Sequence, residues 1–154
     1  MRSNTATKPA KAADSSEKGI TMALVIRPAS ASDAEACGKI CYEAFYKIST
    51  DHNFPPDFPS PDVAIGFLKM ATTHPEIFGV VAEADGRVTG SNFLWEQCEI
   101  GGVGPITVDP KVQNAHIGRG LMDAVLERIA AKGRPGVRLV QAAFHNRSLS
   151  LYTK

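Results

Sequence analysis

The residues with the clearest chemical potential lie between Gly104 and Gly120, in the run GPITVDPKVQNAHIGRG. A strand-like segment ends at Val108, turns at Pro110 and passes through a loop into Gly118-Arg119-Gly120 at the start of an amphipathic helix. That helix, expected over Gly118 to Lys132, puts Leu121, Met122, Val125, Leu126 and Ile129 on one face. Gly133 and Pro135 end it. Its first-turn amide hydrogens have no intrahelical partners, and the aligned peptide dipoles leave partial positive charge there. An anion at that end meets several donors at once. Glycine at 118 and 120 leaves out the Cβ that would hold a pyrophosphate away from the backbone. The chemistry indicated is binding of a phosphate-bearing ligand.

Two common phosphate loops are excluded. No Gly-Lys-Ser/Thr follows a glycine at Walker spacing. A dinucleotide fingerprint needs its glycines directly after the strand and a carboxylate about twenty residues on. Here a long loop separates Val108 from Gly118, and Arg138 and Leu139 occupy the carboxylate's place.

The chain resembles the GNAT family of N-acetyltransferases, whose signature is Val-x-Pro and then Gln/Arg-x-x-Gly-x-Gly/Ala at a helix start. It reads Val108-Asp109-Pro110, then Gln113-Asn114-Ala115-His116-Ile117-Gly118, with His116 at the first glycine position. If that position needs φ > 0, histidine is strained there relative to glycine, and cofactor affinity weaker than usual for the family is expected. Downstream, His145-Asn146-Arg147-Ser148-Leu149-Ser150-Leu151-Tyr152 is similar to the family's Asn, small residues and Leu-Tyr. Tyr152 falls at the family position, whereas Asn146 is one residue late.

The resemblance implies an α/β (α+β mixed) fold: a mixed sheet with helices on both faces and a parallel strand pair that splays apart. It implies acetyl-CoA as cosubstrate, with no metal. Gln113, Asn114, Ala115, His116, Ile117, Gly118, Arg119 and Gly120 would bind the pyrophosphate, backbone at Ile106 and Val108 the pantetheine arm, and Asn146 would complete the cofactor-side set. The implied reaction is direct attack of a primary amine, on a small molecule or peptide, in a ternary complex. Tyr152 is the implied acid for the departing sulfur. The amine must also lose a proton. Glu96, Glu99 and Asp109 are candidate bases by proximity to the splay, Glu99 being preferred, with His145 a further candidate at the strand end. The alternative is a catalytically silent acyl-CoA-binding or regulatory domain.

Other elements must position these groups. Leu24 to Arg27 reads as a strand, and Ser30 or Ser32 as the cap of a helix with Ala36, Ile40, Ala44 and Ile48 in a stripe. The segment 52–61 is too rich in proline for a helix or central strand. Its Phe54 and Phe58, with Trp95, are candidates to line an acceptor pocket, and Asp51 and Asp57 to attract a cationic amine. Asp62 to Thr73 is helical, with Val63, Phe67, Leu68 and Met70 as its apolar residues. Phe78 to Ala84 and Arg87 to Trp95 flank Asp85-Gly86, a strong hairpin signal. A further strand over Val103 to Val108 carries Gly104-Pro105, which suggests a bulge. With the helix from Gly118 and the apolar run Val137 to Ala142 it forms a strand-helix-strand unit.

A net charge of +1 gives no footprint for nucleic acid or anionic lipid. No run reaches bilayer-spanning length and the N-terminus has no export pattern, so a cytoplasmic location is expected. Three cysteines argue against a disulfide framework, and Cys37 and Cys41, one helical turn apart, read as packing thiols. Residues 1–21 are polar and aperiodic, the composition of a disordered tail, leaving 22–154 as the acetyltransferase domain. The family would continue past Lys154 with two more strands. A longer parent chain is the preferred expectation, with a partner such as a second copy covering the edge of the 137–142 strand as the alternative.

Overall fold

Two long strands with alternating apolar residues organise the structure, a computed structural model that describes residues 24–112 and 116–153. Strand β2 (Ile77–Ala84) pairs antiparallel with β3 (Arg87–Trp95). Asp85 and Gly86 between them both take positive φ, 52° and 74°, the backbone a two-residue primed turn requires. On β2, Val80 and Ala82 point to one face, and Ile77 and Val81 to the other. This period of two requires cover on both faces.

One cover is α3 (Ile117–Ala131), whose Ile117, Leu121, Met122, Val125 and Ile129 are buried against Val80, Ala82, Leu94 and Val103. The other is the pair α1 (Ala34–Asp51) and α2 (Pro61–Thr73), where Cys37, Cys41, Leu68 and Ala71 close over Val81 and Phe93. Gly38 permits that helix pair to approach, because a Cβ there would lie 2.5 Å from the Ile65 Cα. Burial pushes the Cys37 thiol up to about 11 and Cys41 up to about 12, which fits the packing role expected of them.

Strand β1 (Leu24–Pro28) pairs with β2 and is tied to the start of α1 through a short 3-10 turn at Ala31–Asp33. The Arg27 guanidinium donates to both oxygens of Asp33, at 2.9 and 2.8 Å. The Asp33 carboxylate also accepts from the Ser30 amide at 2.8 Å and the Ser30 hydroxyl at 2.7 Å.

The sheet order is β1-β2-β3-β4-β6, with β5 (Thr107–Val108) also pairing β3. Strand β4 (Ile100–Val103) is antiparallel to β3 and parallel to β6 (Gly136–Leu139). The chain ends in α4 (Asn146–Tyr152).

Several expectations are corrected by packing. The first helix turns its core face to Ala34, Cys37 and Cys41, while Ala36, Ala44 and Ile48 are only half-buried. On α2 the buried residues are Ala64, Leu68 and Ala71, leaving Val63 and Met70 exposed. Leu126 on α3 is also exposed. The strand expected over Val103 to Val108 is two pieces, because Pro105 has no amide hydrogen for a ladder and Gly104 takes φ 129°. The last strand stops at Leu139, and Val140 is fully exposed. The expected tail, residues 1–21, lies outside the described residues. Among the described residues no helix is long and apolar enough to cross a membrane.

Candidate active site

The strand break builds the site. The β4–β6 ladder runs from Ile100↔Gly136 to Val103↔Leu139 and then stops. On the far side of Gly104-Pro105, β5 holds to β3 through Gly90↔Val108 and Ser91↔Thr107. Gly90 allows this approach, since a Cβ there would stand 2.8 Å from the Thr107 carbonyl oxygen. The two parallel strands therefore part after Val103 and Leu139, as expected of the splay.

Two cavities meet at this opening. The larger, about 790 Å³, runs from the start of α3 (His116, Ile117, Gly118, Arg119) past Ile106 and Val108 to α4. The smaller, about 490 Å³, extends toward Phe45, Phe54 and Asp57 on one side and Leu139 to Ala142 on the other. Ala44, Ile48, Ile106, Thr107, Ser148 and Tyr152 belong to the walls of both, as do Phe144 and His145.

At the helix end of the larger cavity, His116 precedes α3 with φ 57°, the left-handed conformation that the glycine of the signature would adopt freely. Intrahelical bonding begins with Arg119 N and Gly120 N, which donate to the His116 carbonyl at 3.1 and 3.2 Å. The amides of Ile117 and Gly118 lie ahead of those bonds, on residues that border the larger cavity. A Cβ on Gly118 would stand 3.3 Å from Leu151 Cδ2 and 3.9 Å from Val108 Cγ2. The Ile117 and Gly118 amides at this helix start are donors of the kind an anion takes, so the residues present fit the CoA diphosphate. Arg119 borders the same cavity. Gly120 instead faces Ile26, 3.4 Å from a Cβ placed there, and serves packing against β1. Gln113, Asn114 and Ala115 lie outside the described residues.

Tyr152 is half-buried at the junction of the cavities. Burial raises its phenol above the ordinary value, partly offset by a hydrogen bond involving Ser148, so the hydroxyl keeps its proton at neutral pH. Asn146 borders the larger cavity at the start of α4. His145 lies on the shared wall.

The carboxylates named as candidate bases are not brought to the junction. Glu99 is exposed in the turn between β3 and β4 and borders neither cavity. Glu96 is buried, with Arg128 donating at 2.9 Å and Lys132 at 2.5 Å. Burial pushes its carboxyl up, but these two cations outweigh it and hold it below the ordinary value. It clamps α3 to the end of β3. Asp109 accepts from the Lys111 amide at 2.9 Å and shapes the turn into the phosphate loop.

Phe54 and Asp57 border the smaller cavity, and Asp51 the larger. Phe58 and Trp95 do not: they pack with Phe67 at ring distances of 6.1 and 6.2 Å. Ala44, Ile48, Phe144 and Ser148 escaped sequence reasoning. The only signal at Ala44 and Ile48 was their membership of the α1 stripe, and nothing local marks Phe144 or Ser148. No group of three or more metal-ligating side chains occurs among the described residues.

The comparisons agree with this geometry. No curated protein matches the chain in sequence. Among solved structures, a mutant of the BH1408 protein from Bacillus halodurans has a TM-score of 0.73 at 14% identity, covering 84% of this chain and 89% of that one. The PaiA N-acetyltransferase from Thermoplasma acidophilum, in complex with coenzyme A, has a TM-score of 0.71 at 17% identity, covering 86% and 87%. An aminoglycoside acetyltransferase from an uncultured soil metagenomic sample, in complex with sisomicin, has a TM-score of 0.59 at 18% identity, covering 84% and 85%. At these identities the likeness establishes the fold. Residues 42–154 match the model of the acetyltransferase (GNAT) family, and to that family the chain belongs.

Proposed function

We propose that the protein is a cytosolic N-acetyltransferase that moves the acetyl group of acetyl-CoA to a primary amine by direct attack in a ternary complex. The observation that carries this reading is the position of Tyr152, on the wall common to a cavity that reaches the start of α3 and a second cavity that does not. The diphosphate is bound by the amides that open α3, and Arg119 supplies a cation beside them. The pantetheine arm follows Ile106 and Val108 toward the junction. The PaiA enzyme bound to coenzyme A supports the cosubstrate, and the sisomicin complex supports a small-molecule amine.

The amine lone pair attacks the thioester carbonyl carbon, the carbon–sulfur bond breaks, and the sulfur takes its proton from the Tyr152 hydroxyl. Burial keeps the phenol protonated at neutral pH, so the proton is in place when the thiolate leaves. His145, the other ionisable side chain on the shared wall among the described residues, is the candidate to take the amine proton, directly or through water. Holding amine and thioester together at the junction supplies the rest of the acceleration.

Thiol release from acetyl-CoA with a panel of amines tests the proposal. Tyr152→Phe keeps the ring and removes the acid, so kcat should fall on the order of 100-fold while CoA affinity stays within about twofold. Unchanged kcat in that variant overturns the acid role. CoA binding without thiol release from any amine would instead support the silent acyl-CoA-binding domain.

A further inference from the structure

The two cavities differ in charge, and that difference, on the acetyltransferase reading above, specifies the acceptor. The larger cavity is bordered by Lys47, Arg119 and Asp51, and Asp51 is engaged by Lys47 at 2.6 Å. The smaller cavity has neither lysine nor arginine among its described lining, and its one carboxylate is Asp57. No described cation forms an ion pair with Asp57. Its described partner is the buried Ser49 hydroxyl, which donates to Asp57 Oδ2 at 3.4 Å.

Placement matters as much as sign. Asp57 is absent from the wall the cavities share and lies with Ser49 and Phe54 in the part belonging to the smaller cavity alone. A carboxylate touching the attacking nitrogen would hold it protonated and oppose reaction. Set away from the junction, it is suited to a different cationic group on the same molecule. The surface between is apolar and aromatic, with Ile106 and Phe144 on the shared wall and Phe45 and Phe54 beyond. Phe144 stacks on Phe54 at 4.5 Å and on His52 at 5.1 Å. Aromatic faces accommodate both an alkyl chain and an ammonium group.

We propose that the acceptor is a linear diamine: one amine reacts at the junction, the spacer lies along Phe144 and Phe54, and the distal ammonium pairs with Asp57. Cadaverine, n-pentylamine and δ-aminovalerate share a five-carbon amine chain and differ in distal charge, which is positive, absent and negative. Initial rates with acetyl-CoA should rank in that order by kcat/KM. Asp57→Asn should cost cadaverine about fivefold, through KM rather than kcat, and bring it level with pentylamine. Asp57→Lys should reverse the ranking in favour of δ-aminovalerate, a gain that misfolding cannot produce.

Pentylamine used as well as cadaverine by the unaltered protein, or Asp57→Lys leaving the ranking intact, overturns the diamine assignment alone. Acetyl-CoA raising the melting temperature, with thiol released by another amine of the panel but by none of these three, likewise overturns the diamine assignment alone, whereas no release from any amine overturns the transfer reaction it rests on as well.

Discussion

Substituting Gly118 by glutamate tests the phosphate site most directly. The residue opens α3, and a Cβ added there would sit 3.3 Å from Leu151 Cδ2 and 3.9 Å from Val108 Cγ2. The nearer contact is the far end of a flexible side chain, so a methyl group needs a shift of only a few tenths of an ångström. Gly118→Ala should therefore fold normally and bind CoA within about threefold of the parent. Glutamate adds a negative charge among residues bordering the 790 Å³ cavity. At about 5 Å from a phosphate and an effective dielectric of about 20, each charge pair is repelled by roughly 3 kcal/mol before salt screening. Allowing for screening, a net loss of about 2 kcal/mol, or roughly 30-fold in Kd, is expected. Calorimetric titration of CoA into both variants measures it. The melting temperature without ligand shows whether the fold is intact. A well-folded Gly118→Glu that binds CoA as tightly as Gly118→Ala would refute the placement of the diphosphate.

Other perturbations probe the frame. Gly38→Ala drives a Cβ to within 2.5 Å of the Ile65 backbone, so α1 and α2 must separate, and urea unfolding should show a loss of about 2 kcal/mol. Position 116 has φ 57°, so His116→Gly should exceed His116→Ala in unfolding free energy by about 1 kcal/mol, because only the latter keeps a Cβ against the left-handed backbone. The Arg27 guanidinium beside Asp33 holds that carboxyl well below the usual range, and Glu96 is also lowered. Both folded-state values lie below the unfolded ones, so their stabilisation is complete above the ordinary carboxylate range and is lost as pH falls through the lower folded values. Melting temperature should be flat down to about pH 5 and decline below about pH 4. Asp33→Asn should start lower at neutral pH and decline less steeply in acid. An equal decline in both proteins would detach Asp33 from the acid response.

The elements that sequence made legible are those whose signal is local. Asp85-Gly86 fixes its hairpin through the backbone it permits, and the apolar spacing from Leu121 to Ile129 fixes α3, because neither depends on distant partners. The faces of α1 and α2 were less legible. Cys37, Cys41, Ala64 and Ala71 are buried by the helix pair and the sheet together, and small residues carry little apolar signal of their own. The helix start that borders the larger cavity could be read from Gly118 and the helix after it. The junction of the two cavities could not: Ala44 and Ile48 on α1 meet Phe144, Ser148 and Tyr152 on a shared wall only because distant segments converge there. Glu99 illustrates the converse. It is near the splay in sequence, yet the β3–β4 turn carries it to the surface.

The opening between the strands follows from Gly104, Pro105 and Val140. Val103↔Leu139 is the last parallel pair. The next residue on one strand is Gly104, and on the other it is the fully exposed Val140. Gly104 does not leave β3: its amide donates to the Phe93 carbonyl at 2.8 Å, and its carbonyl accepts from Trp95 Nε1 at 2.6 Å. Those bonds anchor the break on the antiparallel side, so Pro105, lacking an amide hydrogen, interrupts the chain before Thr107 rejoins Ser91. The backbone of β5 is thereby held against β3 while the β6 segment departs. On the proposed reading, a gap set by the strands themselves would admit a thioester beside Tyr152 without deforming the sheet, leaving binding free energy for orienting the amine.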